Sequence, residues 1–192
     1  MNKKRKPMAS KILDDELRNS QIKGLEKELI SKKIGSKYGL ICVGIGVLIA
    51  QSIMTLLISL DEGIIKGFFW FTDIDFLLNI MIGILIMFGA GFYFGQKAGK
   101  EIIINKRNET LVGFLTGMIV LISTSFLASW VGFFQEGIDN IGTNDNPFFD
   151  YIFKPVYWVT IFGIIPSLIV GIWFGRRIKK EGEKMNTAHN NA

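Results

Sequence analysis

Apolar positions in this chain gather into four long runs instead of alternating with polar ones at short period. The runs cover residues 38–60, 76–94, 111–134 and 156–174, and none contains Asp, Glu, Lys, Arg or His. A bilayer core about 30 Å thick is crossed by roughly 20 apolar residues of helix. The pattern therefore predicts four transmembrane helices. A membrane strand would need only about ten residues of alternating polarity, a pattern the runs lack.

The polar connections carry the second signal. Lys and Arg number 11 in residues 1–37, one in 61–75, four in 95–110, one in 135–155 and five in 175–192. Four crossings put 20 of the 22 basic residues on one side. The positive-inside rule then assigns both termini and the middle loop to the cytoplasm. The two opposite loops are acidic, with Asp61, Glu62, Asp73 and Asp75 in the first and Glu136, Asp139, Asp145 and Asp150 in the second. The expected fold class is an all-α integral membrane protein whose four helices form two hairpins. Its parts are a basic, amphipathic N-terminal segment over 1–37, a four-helix domain over 38–175 and a basic tail over 176–192. The cell (plasma) membrane is the expected location, and the Ile- and Lys-rich composition fits a bacterial source. The first apolar run follows 37 mostly polar residues, which reads as an uncleaved anchor and not as a secretory signal.

Hydrophobic residues make up 49% of the chain and charged ones 20%. Those shares are ordinary for a globular protein, so the distribution decides the class. It excludes a disordered chain, a coiled coil and a soluble domain.

In the N-terminal segment Ile12, Leu13, Leu17, Ile22, Leu25 and Leu29 recur three to five residues apart, with Glu28 and Lys32 as an i,i+4 pair. This predicts a solvated helix leading into the first span, despite Gly24. A self-association helix and a helix on anionic lipid are the sharper alternatives. Lys3, Lys4, Arg5 and Lys6, followed by Pro7, are explained by the positive-inside bias and give no ground for nucleic-acid binding.

Phe68, Phe69, Trp70 and Phe71 in the first acidic loop read as an interfacial aromatic belt, with a docking surface as the alternative. Phe148, Phe149, Tyr151, Phe153, Tyr157 and Trp158 read the same way in the second. Residues 141–147 (IGTNDNP) are a turn-rich stretch, too irregular for a calcium loop.

The chain reads as containing an internal repeat. At an offset of 80, Gly83, Ile84, Gly91, Phe94, Gly95, Lys100 and Glu101 match Gly163, Ile164, Gly171, Phe174, Gly175, Lys180 and Glu181. At an offset of 73, Gly44 to Ser52 aligns with Gly117 to Ser125. Two hairpins inserted in the same direction would give a parallel repeat.

Inside the spans, Gly91 and Gly95 form one GxxxG motif, and Gly163, Ser167, Gly171 and Gly175 form a small-residue ladder. Residues four apart share a helix face, so each motif predicts a groove where another backbone approaches closely. Packing within the chain is the favoured reading. Pro166 predicts a kink. In span one Gly44, Gln51, Ser52, Thr55 and Ser59 share an arc of roughly 100°. Gln51 lies near mid-membrane, where an unpaired amide is costly. Thr116, Ser123, Thr124, Ser125 and Ser129 of span three are its expected hydrogen-bond partners, and a polar lining for a solute path is the alternative. Asn79 invites the same two readings. Cys42 is expected to be an apolar filler, with lipidation the lesser alternative.

No Asp, Glu, Lys, Arg or His lies within a span, so the usual marker of a proton-coupled pump is missing. The single histidine, His189, is in the tail, which excludes a His-centred catalytic or zinc site within one chain. No phosphate-binding loop motif occurs, and no cofactor is expected. The expected role is a non-enzymatic accessory subunit that associates in the bilayer with itself or with another membrane protein. A small-solute transporter or channel acting as a homo-oligomer comes second, and a lipid-directed enzyme third.

Overall fold

The computed structural model describes residues 8–72, 74–139, 141–142 and 146–190. The basic tetrad with Pro7, Asp73, and residues 143–145 of the second loop lie outside the described residues. So do the side chains of Ile12, Asp75, Phe76 and His189. Among the described residues the chain is all-helical, with no strand. Its helices are α1 (Met8–Glu62), α2 (Ile64–Phe68), α3 (Ile74–Ile103), α4 (Glu109–Gly132) and α5 (Lys154–Asn190). A 3-10 turn covers Trp70–Thr72, and single π-helical turns cover Phe133–Gly137 and Phe149–Phe153.

Four of these helices, α1, α3, α4 and α5, are long and apolar enough to cross a membrane. In hydrocarbon every backbone N–H and C=O must be paired internally, which is why each apolar run becomes a helix. Their surfaces agree with a lipid solvent. In the most apolar window of α1, α3 and α5 only 6% of the residues are buried inside the protein, and in α4 only 11%. Leu48, Leu85 and Ile165 are among the many large apolar side chains facing outward. A water-soluble surface does not carry such continuous apolar patches.

The helix α1 has no break at Tyr38. It has 55 residues, and at 1.5 Å per residue it is about 80 Å long. The charged N-terminal segment is therefore an arm continuous with the first span, and it passes through Gly24 without interruption. α5 likewise runs through Pro166 and on into the basic tail.

Close approaches fix the helix directions. Gly35 lies opposite Gly95 and Gly99, and Gly39 lies opposite Gly91 and Gly95, so α1 and α3 run antiparallel. Gly113 lies opposite Gly171 and Gly175, and Gly117 opposite Ser167, so α4 and α5 run antiparallel too. Nearer the acidic loops, Gly83 of α3 faces Ala128 of α4, and the Asn79 amide lies against Gly132.

Among the described residues a buried hydrophobic cluster forms at the end of the bundle that carries the basic segments. Ala98, Ile102 and Ile103 of α3 pack there with Phe174 and Ile178 of α5, and Ile34, Tyr38, Cys42, Val112 and Met185 surround them. The connection between α3 and α4 turns sharply at Lys106, with φ 54°, and Asn108 caps α4 by accepting from the N–H groups of Thr110 and Leu111.

Ion pairs ring this basic end. The Glu28 carboxylate, ten positions before the first apolar run, accepts from both Lys32 and Lys100 at 2.9 Å. The two ammonium groups hold its carboxyl well below the ordinary value of 4.5, at about 2. A depressed carboxylate stabilises the fold above its unfolded-state pKa, and that contribution fades as pH falls. The window for Glu28 is therefore about 4.5 down to about 2. The expected result is a midpoint of thermal unfolding that drops across this window. The drop should be smaller in Glu28→Gln, which has no charge to lose. Equal drops in both proteins would show that Glu28 is not the titrating group. The effect should be modest, because pairs reached by water are screened.

Candidate functional site

Two seams of small residues shape the interior. In the first, a methyl group added at Gly35 would land on the Gly95 carbonyl, one at Gly39 on the Gly91 carbonyl, and one at Gly99 on the Ser31 carbonyl. In the second, a methyl at Gly113 would meet the Gly171 carbonyl, and one at Gly175 the Glu109 carbonyl. Backbones this close gain dispersion contacts and weak Cα–H···O bonds, which replace the hydrophobic driving force missing in lipid. The ladder of span four thus meets α4, and the motif of span two meets α1. Gly163 differs, because it faces the Leu121 side chain and not backbone, and Ser167 faces Gly117 through its carbonyl.

The partner glycines Gly35, Gly39, Gly99, Gly113 and Gly117 were not singled out from sequence. Their own spacing of four was the available signal. Gly91 and Gly95 correspond to Gly171 and Gly175 at the 80-residue offset seen in sequence. Gly39 and Gly113 occupy matching places at an offset of 74, one position from the 73 that the apolar alignment suggested.

The seams leave a cleft between them of about 480 Å³. Cys42, Gly46 and Ile53 of α1 line one wall, Val120 of α4 and Phe162 and Val170 of α5 another, with Met87 and Gly91 of α3 at the back. Thr116 and Ser167 are its only hydroxyl-bearing residues, and no charged side chain lines it among the described residues. At the basic end it adjoins the buried core, where Tyr38 of α1 meets Trp173 of α5 edge-on at 6.4 Å and Phe174 and Ile178 are buried. The Arg177 guanidinium sits 5.3 Å from the Trp173 ring centroid. Toward the loop end the two helices offer exposed side chains instead, with Leu57 and Trp158 both 49% exposed, and the cleft opens to the surroundings.

The polar stripe of α1 does not meet that of α4. Past Glu62 the chain turns at Gly63, with φ 85°, and α2 folds back along α1. Gly67 then lies against Thr55 and Ser59, about two helical turns below the end of α1. Gln51 Nε2 donates to the Phe68 carbonyl at 2.9 Å and to Thr55 Oγ1 at 3.3 Å. The Trp70 indole N–H donates to Gln51 Oε1 at 3.1 Å. Both ends of the amide are satisfied by the chain's own return loop, so this aromatic run lies alongside the span and not beyond it. Ser52 donates to the Leu48 carbonyl, and Ser59 to the Thr55 carbonyl.

The α4 hydroxyls turn onto their own helix. Ser123 donates to the Ile119 carbonyl at 2.6 Å, Ser125 to the Ile122 carbonyl at 3.0 Å and Ser129 to the Ser125 carbonyl at 2.7 Å. Thr124 Oγ1 is buried without a hydrogen bond. The second loop builds a separate aromatic cluster, in which Phe133 and Phe148 lie 4.7 Å apart beside Trp130. Tyr151 OH donates to Glu136 Oε2 at 3.4 Å across this loop.

The arrangement is suited to holding apolar groups. Among the described residues no cluster of three or more His, Cys, Asp or Glu could bind a metal ion. No protein-family model, curated protein or solved structure matches this chain.

Proposed function

We propose that this chain is a non-enzymatic accessory protein of the cell membrane. In this reading it has both termini in the cytoplasm, and two hairpins form a parallel repeat. The charge asymmetry of the connections supports the orientation, and the matching geometry of the two glycine seams supports the repeat. One observation carries the functional reading. The arm of α1 projects past the basic end with Leu13, Leu17, Ile22, Leu25 and Leu29 between 46% and 66% exposed. These residues lie before the first apolar run, outside the stretch that a bilayer core accounts for. Apolar rows on a solvated helix are contact surfaces for another helix.

The arrangement of Gln51 favours this role over a solute path, because its amide is engaged by Phe68 and Trp70. The test is co-purification of the full-length protein in mild detergent, with wild type compared to Leu17→Glu/Leu25→Glu. A stoichiometric partner, or a second copy, should accompany the wild type and be lost from the variant. A wild type recovered as a bare monomer would refute the reading.

A further inference from the structure

The cleft between the seams is long and apolar, and we propose that it binds a single acyl chain of a phospholipid drawn from the leaflet at the acidic-loop end. Four observations carry this. The first is volume. A crossing helix about 10 Å wide and 30 Å long displaces roughly 2,400 Å³, more than a cleft of about 480 Å³ can hold. The second is depth. From Cys42 to Leu57 the α1 wall extends about 22 Å, which exceeds half of a bilayer core about 30 Å thick. An extended chain fills such a slot, and the side chains of a helix lying outside it do not.

The third observation is the packed end. The buried cluster around Phe174 and Ile178 lies at the basic end of the cleft and the exposed Leu57 and Trp158 at the other, so a chain lies with its methyl terminus toward Cys42. The head group is then left at the open mouth beside Leu57 and Trp158. The fourth is chemistry. A water molecule needs two or more polar partners, and the walls supply almost none. The absence of charge in the lining also means that the cleft selects by chain length.

This inference is independent of the arm and its partner. Gly46 provides the test, because it lines the cleft and an added Cβ there meets nothing within 4 Å. Gly46→Phe should fill the cleft while leaving the seams intact. Full-length protein is reconstituted in vesicles of long-chain phosphatidylcholine, extracted gently and weighed by native mass spectrometry. The wild type should keep one phospholipid per chain, and Gly46→Phe should lower that occupancy by roughly tenfold. Long-chain phosphatidylcholine should compete, and short-chain phosphatidylcholine should not.

Cys42 supplies a second readout that needs no substitution. Delipidated wild type should react with an N-alkyl maleimide roughly tenfold faster than the lipid-bound form. A wild type without retained lipid, a folded Gly46→Phe that keeps it, or a Cys42 rate indifferent to lipid would each overturn the proposal. So would a photo-crosslink from position 46 to another polypeptide.

Discussion

Gly95→Leu should leave almost no folded bundle. A Cβ at this position comes 2.6 Å from the Gly35 carbonyl oxygen, 3.2 Å from its carbon and 3.3 Å from the Gly39 Cα. All three are backbone atoms of α1, so no rotamer change relieves the clash. The whole helix must shift, which opens the seam along its length. Overpacking against mobile side chains costs about 1–3 kcal/mol. Against fixed backbone the cost should lie at or above the top of that range, and marginal stability tolerates little of it. Gly91→Leu, Gly171→Leu and Gly175→Leu belong to the same class, with Gly91 partly relieved because it faces the Val43 side chain.

The control is internal to the same helices. Gly44 and Gly89 have nothing within 4 Å of an added Cβ. Alanine there should be neutral or stabilising by up to about 1 kcal/mol, because helical glycine carries an entropic penalty. Gly163→Ala should fall between, since Leu121 can rotate away. Unfolding by sodium dodecyl sulfate in mixed micelles measures the series. If Gly95→Ala and Gly44→Ala unfold together, close backbone approach is not what holds α1 to α3.

The legible part of this protein was what the bilayer imposes. Four uncharged runs have to become four helices, because no other element satisfies a backbone in hydrocarbon. The N-terminal periodicity predicted a helix leading into the first span, and α1 runs through Tyr38 without a break because helix formation does not depend on the change from charged to apolar residues. The motifs in spans two and four drew attention because they sit inside apolar runs. Their partners Gly35 and Gly99 sit among lysines, where a glycine looks like a break.

The polar stripes misled for a different reason. Depth alone matched Gln51 to the α4 hydroxyls. Ser and Thr in a helix can satisfy themselves on carbonyls three or four residues back, as Ser123, Ser125 and Ser129 do. An amide with two donors and an acceptor cannot, so Gln51 needs groups from outside its helix. The nearest free ones come from the loop that follows.

Gln51→Leu should therefore release residues 64–72 and leave the rest of the bundle intact. The substitution removes the acceptor for the Trp70 indole N–H and the donor to the Phe68 carbonyl. Each group left unpaired in a low-dielectric setting costs about 1–3 kcal/mol. The loop holds few other polar contacts to α1, and Phe68 and Phe69 are about half exposed. The expected readout is hydrogen exchange in residues 64–72 faster by at least roughly tenfold, which corresponds to about 1.4 kcal/mol. Exchange at the seams should be unchanged. Trp70→Phe removes one of the two bonds to the loop and should give a smaller increase in the same segment. Gln51 does not line the cleft, so its loss should not change lipid retention. Uniform acceleration throughout α1 and α3 would mean that the amide supports the whole bundle, and no acceleration would mean that the aromatic side chains hold the loop without it.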